Sequence, residues 1–184
     1  MNTSELVREA KQGSTAAQKC LFDQFAEKML LVCQRYVKNP ADAEELLLDG
    51  FHKFFTKISS FSYQGDAALY GWLKRIMINE CLMFLRAKNV FTIVTDATAE
   101  EIPLQEEALD NLSAEEIFKL IVQLPVGYRT VFNLYAIEGM NHGEIAEMLS
   151  ISEGTSRSQF SKAKVLLQKL LLQNDIKYVK RRSK

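Results

Sequence analysis

Residues 138–169 read EGMNHGEIAEMLSISEGTSRSQFSKAKVLLQK, and this stretch constrains the local fold more than any other. Asn141 stands where it can cap a helix, and Glu144, three residues on, closes a capping box. Ile145, Ala146 and Leu149 then fall on one helical face. Ser150, Ile151 and Ser152 form a turn. Ser152 is a second N-cap candidate, and Glu153 sits in the following first turn, where the helix dipole favours negative charge. A short helix, a tight turn and a longer basic helix make up the helix-turn-helix layout.

At about 100° per residue, Phe160, Ala163, Leu167 and Leu170 of the second helix face inward, with Ser156 as a small inward contact. Ser158, Ser161 and Lys162 face outward, flanked by Thr155, Arg157 and Lys164. Arg and Lys reach guanine edges or phosphates, and small hydroxyl residues let a helix approach a major groove. The same face also suits the solvated side of an ordinary helical hairpin.

The charge distribution favours nucleic acid more than the total does. Net charge over the 184 residues is zero. Residues 1–96 hold 12 basic and 11 acidic side chains, residues 97–124 one basic and seven acidic, and residues 125–184 ten basic and five acidic. A basic C-terminal part is thus joined through a strongly acidic stretch to a near-neutral N-terminal part, and basic halves suit nucleic acid. Cys20, Cys33 and Cys81 are far apart and form no CxxC; they read as buried free thiols of a reducing cytoplasm. No secretory leader and no bilayer-length apolar run is present, so a cytoplasmic location is expected.

Apolar spacings of three and four run through most of the chain, with few Gly or Pro, and nothing reads as a sheet. The expected fold is all-α, with two small helical domains and an acidic linker. The domains are expected at 1–90 and 113–173, with a linker over 91–112 and a frayed basic tail over 174–184. In the first domain a helical start through Leu6, Ala17, Leu21 and Phe25 precedes a segment from Glu27 to Lys38 that stops at Asn39-Pro40. The next helix spans Ala41 to Ile58. After a loop over 59–66, Asp66 is expected to cap a helix to about Ala87, with Leu69, Trp72, Leu73, Ile76 and Met83 on its apolar side. A short helical piece is expected near 104–109. Ser113 and Glu116 form another capping box, and Pro125 ends the helix that they start. A helix from Tyr128 to Ile137 closes near Gly139.

Two features of the first domain suggest partners. Asp42, Glu45 and Asp49 make an acidic stripe opposite a phenylalanine face, a pattern that a solvated helix also shows. The run FSYQGDAALYGWLKRI sets Phe61, Tyr63, Tyr70 and Trp72 beside Lys74 and Arg75, the combination that single-stranded DNA binding uses. Phe61 and Trp72 also suit a core, and for Trp72 the core is the better reading.

These motifs together resemble the sigma-70 family of bacterial RNA polymerase initiation factors, and most closely the small extracytoplasmic-function (ECF) type. NPADAEELLLDGFHKFF and FSYQGDAALYGWLKRIMINECLMFLR resemble region 2, and LPVGYRTVFNLYAIEGMNHGEIAEMLSISEGTSRSQFSKAK resembles region 4. The resemblance implies that the 41–58 helix docks on a coiled coil of core polymerase through Glu45, Leu46, Leu48 and Asp49, which makes Asp42 part of the same acidic face. Leu48 stands where relatives usually have Gln. The resemblance also implies that loop 60–68 captures an unstacked base of the −10 element, with Phe61 and Tyr63 near it. Lys74, Arg75, Asn79 and Arg86 then lie along the strand. It assigns −35 readout to Arg157, Ser158, Ser161 and Lys162, flanked by Thr155 and Lys164. The acidic linker is implied to thread the polymerase cleft. Implied partners are core polymerase, promoter DNA and an anti-sigma factor, often tethered to the inner membrane, with the free protein a monomer.

With only His52 and His142, no HExxH and no glycine-rich phosphate loop, neither enzymatic activity nor a metal or other cofactor is expected. A stand-alone helix-turn-helix regulator is the main alternative, and it needs neither the acidic helix nor the aromatic-basic loop. An inhibitor that borrows the fold without opening DNA is a third reading.

Overall fold

Asn2 begins the first helix with a capping box to Glu5. The computed structural model describes residues 2–88 and 113–182. The expected linker over 91–112, its helical piece near 104–109 and the acidic side chains Glu100, Glu101, Glu106 and Glu107 lie outside the described residues. The described residues form helices and no strands, as an all-α fold requires. The chain divides into two units, Met1–Lys88 and Asn89–Lys184.

In the first unit, α1 (Thr3–Lys11) is followed by α2 (Thr15–Tyr36), whose N-cap is Ser14. The segments on either side of Glu27, read separately from the sequence, form one helix of 22 residues. Val37 leaves it in an extended conformation. Asn39 then accepts hydrogen bonds from the backbone N–H groups of Ala41 (2.8 Å) and Asp42 (3.3 Å), starting α3 (Pro40–Lys57). Pro40 suits the first turn, where its missing N–H costs nothing. A 3-10 turn, Ile58–Ser60, leads through residues 61–65 to α4 (Asp66–Ala87). Asp66 is not the cap expected of it. Gly65 precedes the helix with φ +112°, a conformation open to glycine, and Asp66 lies in the first turn.

Helix α4 packs against both α2 and α3. Leu69, Leu73, Met77 and Cys81 of α4 have no accessible surface, nor do Leu21, Met29, Cys33 and Tyr36 of α2 or Phe54 of α3. Met83, expected on the apolar side, is exposed, while Leu82 and Leu85 are buried in its stead. Cys33 and Cys81 are buried as expected, but Cys20 is exposed. A hydrogen bond to Cys33, together with burial, pushes the Cys81 thiol well above its ordinary range. The buried carboxylate of Glu80 is neutralised by Lys53 at 2.6 Å. Helices α3 and α4 approach closely at Gly50, where a Cβ would stand 2.2 Å from Met77 Sδ and 2.8 Å from its Cε.

In the second unit, Ser113 and Glu116 form the expected capping box of α5 (Ala114–Gln123). Hydrogen bonds from the Ser113 backbone and hydroxyl hold the Glu116 carboxyl below its ordinary range. Helix α6 (Val126–Phe132) is shorter than expected, because its continuation, Asn133–Ile137, is a π-helical turn. Gly139, at φ +72°, reverses the chain into α7 (His142–Leu149). The last helix, α8, is Glu153–Arg182, so helical backbone continues where a frayed tail after residue 173 was expected. Leu120, Ile121 and Leu124 pack with Ala163, Leu167 and Leu171 to form the core. Arg129 is 1% exposed, and its Nη1 donates to the carbonyls of Val122 (3.2 Å) and Leu124 (3.0 Å), closing the end of α5. Burial lowers its pKa to about 10, which leaves it charged at neutral pH beside a helix C-terminus that favours a cation.

Gly50→Ala is expected to destabilise the first unit. The clash is with the flexible end of Met77, but that side chain has no accessible surface and the core around it must repack. Overpacking at about 1–3 kcal/mol is therefore expected to exceed the roughly 1 kcal/mol of added helix propensity. Thermal denaturation of the full chain should show a lower first transition, and an unchanged or raised midpoint would contradict the packing described here.

Candidate nucleic-acid interface

The turn between α7 and α8 is built by local polar chemistry. Asn141 and Glu144 form the expected capping box. Ser150 ends α7 in the left-handed region at φ +56°, the one non-glycine residue among the described residues to do so. Ser152 Oγ then accepts from the Thr155 N–H at 2.9 Å and lies 2.8 Å from the Thr155 hydroxyl. Helix α8 packs on α6 and α7, and this fixes which of its faces is left uncovered.

The inward set of α8 lies where the helical angle places it. Ser156 and Ala163 have no accessible surface, Leu167 is buried, and Phe160 and Leu170 are half-buried. Arg157 and Ser158 are exposed. Thr155, Ser161, Lys162 and Lys164 are half-buried, so the uncovered face is narrower than the six residues named for it. The Thr155 hydroxyl is engaged in the cap, and Lys164 Nζ lies over the Phe160 ring, 5.2 Å from its centroid. Arg157 pairs with Glu153 one turn back on α8. Both side chains are more than half or about half exposed, and such a pair contributes only about 0.2–1 kcal/mol. A phosphate or guanine could therefore draw Arg157 away at little cost.

In the first unit, α4 turns Arg75, Asn79 and Arg86 to solvent. On a helix these three fall within an arc of about 40°. Lys74 is half-buried at the flank, with Nζ 5.9 Å from the Tyr70 ring centroid. The loop before α4 is held at several points. Phe61 stacks on Trp72 at 4.7 Å with the rings 11° apart, and Trp72 also lies against Phe54 at 5.2 Å. Lys11 Nζ donates to the Phe61 carbonyl at 2.5 Å. The Tyr63 hydroxyl donates to Asp66, which raises the phenol pKa, and Thr3 donates to the same carboxylate at 3.3 Å. The ring of Phe61 is thus committed on one face to Trp72, and Trp72 serves the core.

On α3, Glu45, Leu48 and Asp49 are exposed, Leu48 at 59%. Asp42 is half-buried and pairs with Lys88 at 3.1 Å, which ties the start of α3 to the end of α4. Leu46, grouped with the docking residues by resemblance, is buried at 5% exposure. It lies on the side shared by Ala43, Leu47 and Gly50 and seats the helix on the core.

One buried pair is not signalled by any motif in the sequence. His142 Nδ1 lies 2.9 Å from Ser156 Oγ, between the first residue of α7 and the inner face of α8. Its ring stacks on Tyr135 of the π-helical turn at 4.4 Å and 16°. Burial, and then the nearby Arg157 charge, hold its pKa below the ordinary 6.5, while Glu153 opposes them. The only sequence signal is a histidine 14 residues from a serine on an inward face.

A histidine with a depressed folded pKa favours the fold when neutral. Its stabilisation is complete above the unfolded value of 6.5 and is lost as pH falls through the lower folded value. The midpoint of the second unit should therefore drop between about pH 7.5 and about pH 5.5. The drop should be smaller in His142→Asn, and equal drops in the two proteins would remove His142 as its source.

The family model "Sigma-70 region 2" matches residues 21–90, and "Sigma-70, region 4" matches residues 114–167. The RNA polymerase sigma-H factor of Pseudomonas aeruginosa is 28% identical over 180 residues, covering 91% of this chain and 92% of that protein. The ECF RNA polymerase sigma-E factor of Haemophilus influenzae is 28% identical over 176 residues, covering 89% and 92%. Among solved structures, the chain is similar to the sigma factor RpoE in complex with the anti-sigma factor NepR from Bartonella quintana. That likeness has 22% identity, a TM-score of 0.48 and coverage of 84% of this chain and 96% of that one. A stand-alone regulator would account for the region 4 match but has no place for the region 2 match. With both regions present in order, and with relatives that span nearly its whole length, the chain belongs to the sigma-70 family as a sigma factor of the extracytoplasmic-function type, which directs RNA polymerase to promoters.

Proposed function

We propose a division of labour among three uncovered helix faces. Glu45, Leu48 and Asp49 of α3 dock on core polymerase, with Asp42 at the edge of that surface and Leu46 beneath it. The 61–65 loop and the outer face of α4 hold the opened −10 strand. There Arg75 and Arg86 neutralise phosphates, Lys74 adds charge at the flank, and Asn79 offers hydrogen bonds. Phe61 and Tyr63 shape the pocket for an unstacked base. Arg157 and Ser158 of α8, with Ser161, Lys162 and the flanking Thr155 and Lys164, read the −35 element.

The observation that carries this reading is Leu48. It is a large apolar side chain, 59% exposed, set between exposed acids on a helix whose other side is fully packed. An apolar centre with a charged rim is how docking surfaces are built. The acidic stretch within residues 91–112 forms the connector between region 2 and region 4 and occupies a basic channel of the polymerase by charge complementarity. The chain performs no catalytic step of its own, acts in the cytoplasm, is monomeric when free and is held in check by an anti-sigma factor. Among the described residues, no helix is long and apolar enough to cross a membrane.

The test is transcription in vitro with core polymerase, this protein and a pool of genomic promoter fragments, the transcripts being sequenced. Starts that share −35 and −10 motifs are expected. Core binding without transcripts would favour the inhibitor reading, and fragment binding without core would favour a stand-alone regulator. Glu45→Lys with Asp49→Lys should weaken core binding at least about tenfold with the thermal midpoint unchanged. Arg157→Ala should cost about 1–3 kcal/mol at promoters with an intact −35 element and little where that element is substituted.

A further inference from the structure

We propose that the buried contact between His142 and Ser156 fixes the rotation of α8, which makes His142 a positioning residue for −35 readout. The inference rests on the assignment of α8 to the −35 element. Ser156 has no accessible surface and immediately precedes Arg157, so it is the inner anchor of the turn that carries the exposed Arg157 and Ser158. A buried hydroxyl without a partner is costly, and His142 Nδ1 satisfies this one at 2.9 Å. The imidazole is itself held by two rings. Tyr135 stacks on it at 4.4 Å, and Phe160 meets it edge-on at 5.9 Å. Tyr135 and Phe160 also lie 4.4 Å apart. The π-helical turn, α7 and α8 therefore meet at one imidazole.

Much of the remaining α8 seat is apolar, with Ala163, Leu167 and Leu171 against Leu120, Ile121 and Leu124, while the Gln159 side chain lies against Gly127 of α6. Apolar contacts are non-directional and tolerate small rotations, whereas a hydrogen bond depends steeply on distance and angle. At an outer helix radius of about 5–6 Å, a rotation of about 20° moves a side-chain tip by about 2 Å. That is enough to take Arg157 or Ser158 out of hydrogen-bonding range of a base edge. The polar pair thus limits a motion that the apolar seat leaves soft.

The test uses holoenzyme made with the full chain and a promoter that the holoenzyme selects, with and without a substituted −35 element. The readout is the ratio of transcription from the two templates, alongside the thermal midpoint of each variant. Ser156→Ala and His142→Ala should each lower the ratio by about tenfold, and the double variant should go no further. His142→Asn, whose side-chain amide places a polar atom near the position of Nδ1, should restore most of the ratio. Arg157→Ala serves as the reference. If it lowers the ratio while Ser156→Ala and His142→Ala leave it intact and change only the midpoint, the pair is a satisfied core contact and the inference is overturned. If Arg157→Ala also leaves the ratio unchanged, the assignment of α8 to the −35 element fails, and the inference falls with it. Should His142→Ala not fold, Ser156→Ala decides the matter, since it removes only a hydroxyl.

Discussion

Helix α4 commits Leu69, Leu73, Met77 and Cys81 to the centre of the first unit, all without accessible surface, and much else follows from that commitment. A helix that buries those positions must turn Arg75, Asn79 and Arg86 to solvent, because 3.6 residues per turn leave them no other side. The same packing pulls α3 in to the close approach at Gly50 and Met77. Helix α3 then has Ala43, Leu46, Leu47 and Phe54 inside and Glu45, Leu48 and Asp49 outside. The polymerase-facing and DNA-facing surfaces proposed for this unit are thus the remainders of one packing solution.

The second unit reaches a similar end with a smaller core and more polar fasteners. Capping boxes start α5 and α7, Arg129 closes the end of α5, and the His142–Ser156 pair joins α7 to α8. Few of these contributions are large singly, since a cap or a hydrogen bond contributes about 1 kcal/mol. Their value is directional, because they fix helix starts and rotations that apolar burial leaves soft. A reader of DNA needs that precision more than it needs extra stability.

Much of this was legible in the residues. Capping signals such as Asn141 with Glu144 and Ser113 with Glu116 are local chemistry and hold in the structure. The inward side of α8 followed from angle alone, with Ser156, Ala163 and Leu167 buried. Errors came where an element depends on what it meets. Asp66 looked like a cap, but Gly65 takes the turn and Asp66 instead accepts from Tyr63 and Thr3. Met83 looked like core and Leu46 like surface, and both were reversed. An apolar residue at the border of a helical stripe is assigned by its neighbours, which spacing does not name.

Most of the helices, their order, the helix-turn-helix and the resemblance that led to the family could be read from the residues alone, because caps, periodicity and motif spacing act over a few residues. Which of the named side chains reach solvent came from packing. Leu48 and Arg157 reach solvent, Leu46 does not, and Phe61 is stacked on Trp72. Packing alone joined His142 to Ser156. Those outcomes depend on burial between segments distant in the chain, and burial belongs to a packed pair of surfaces rather than to either sequence segment.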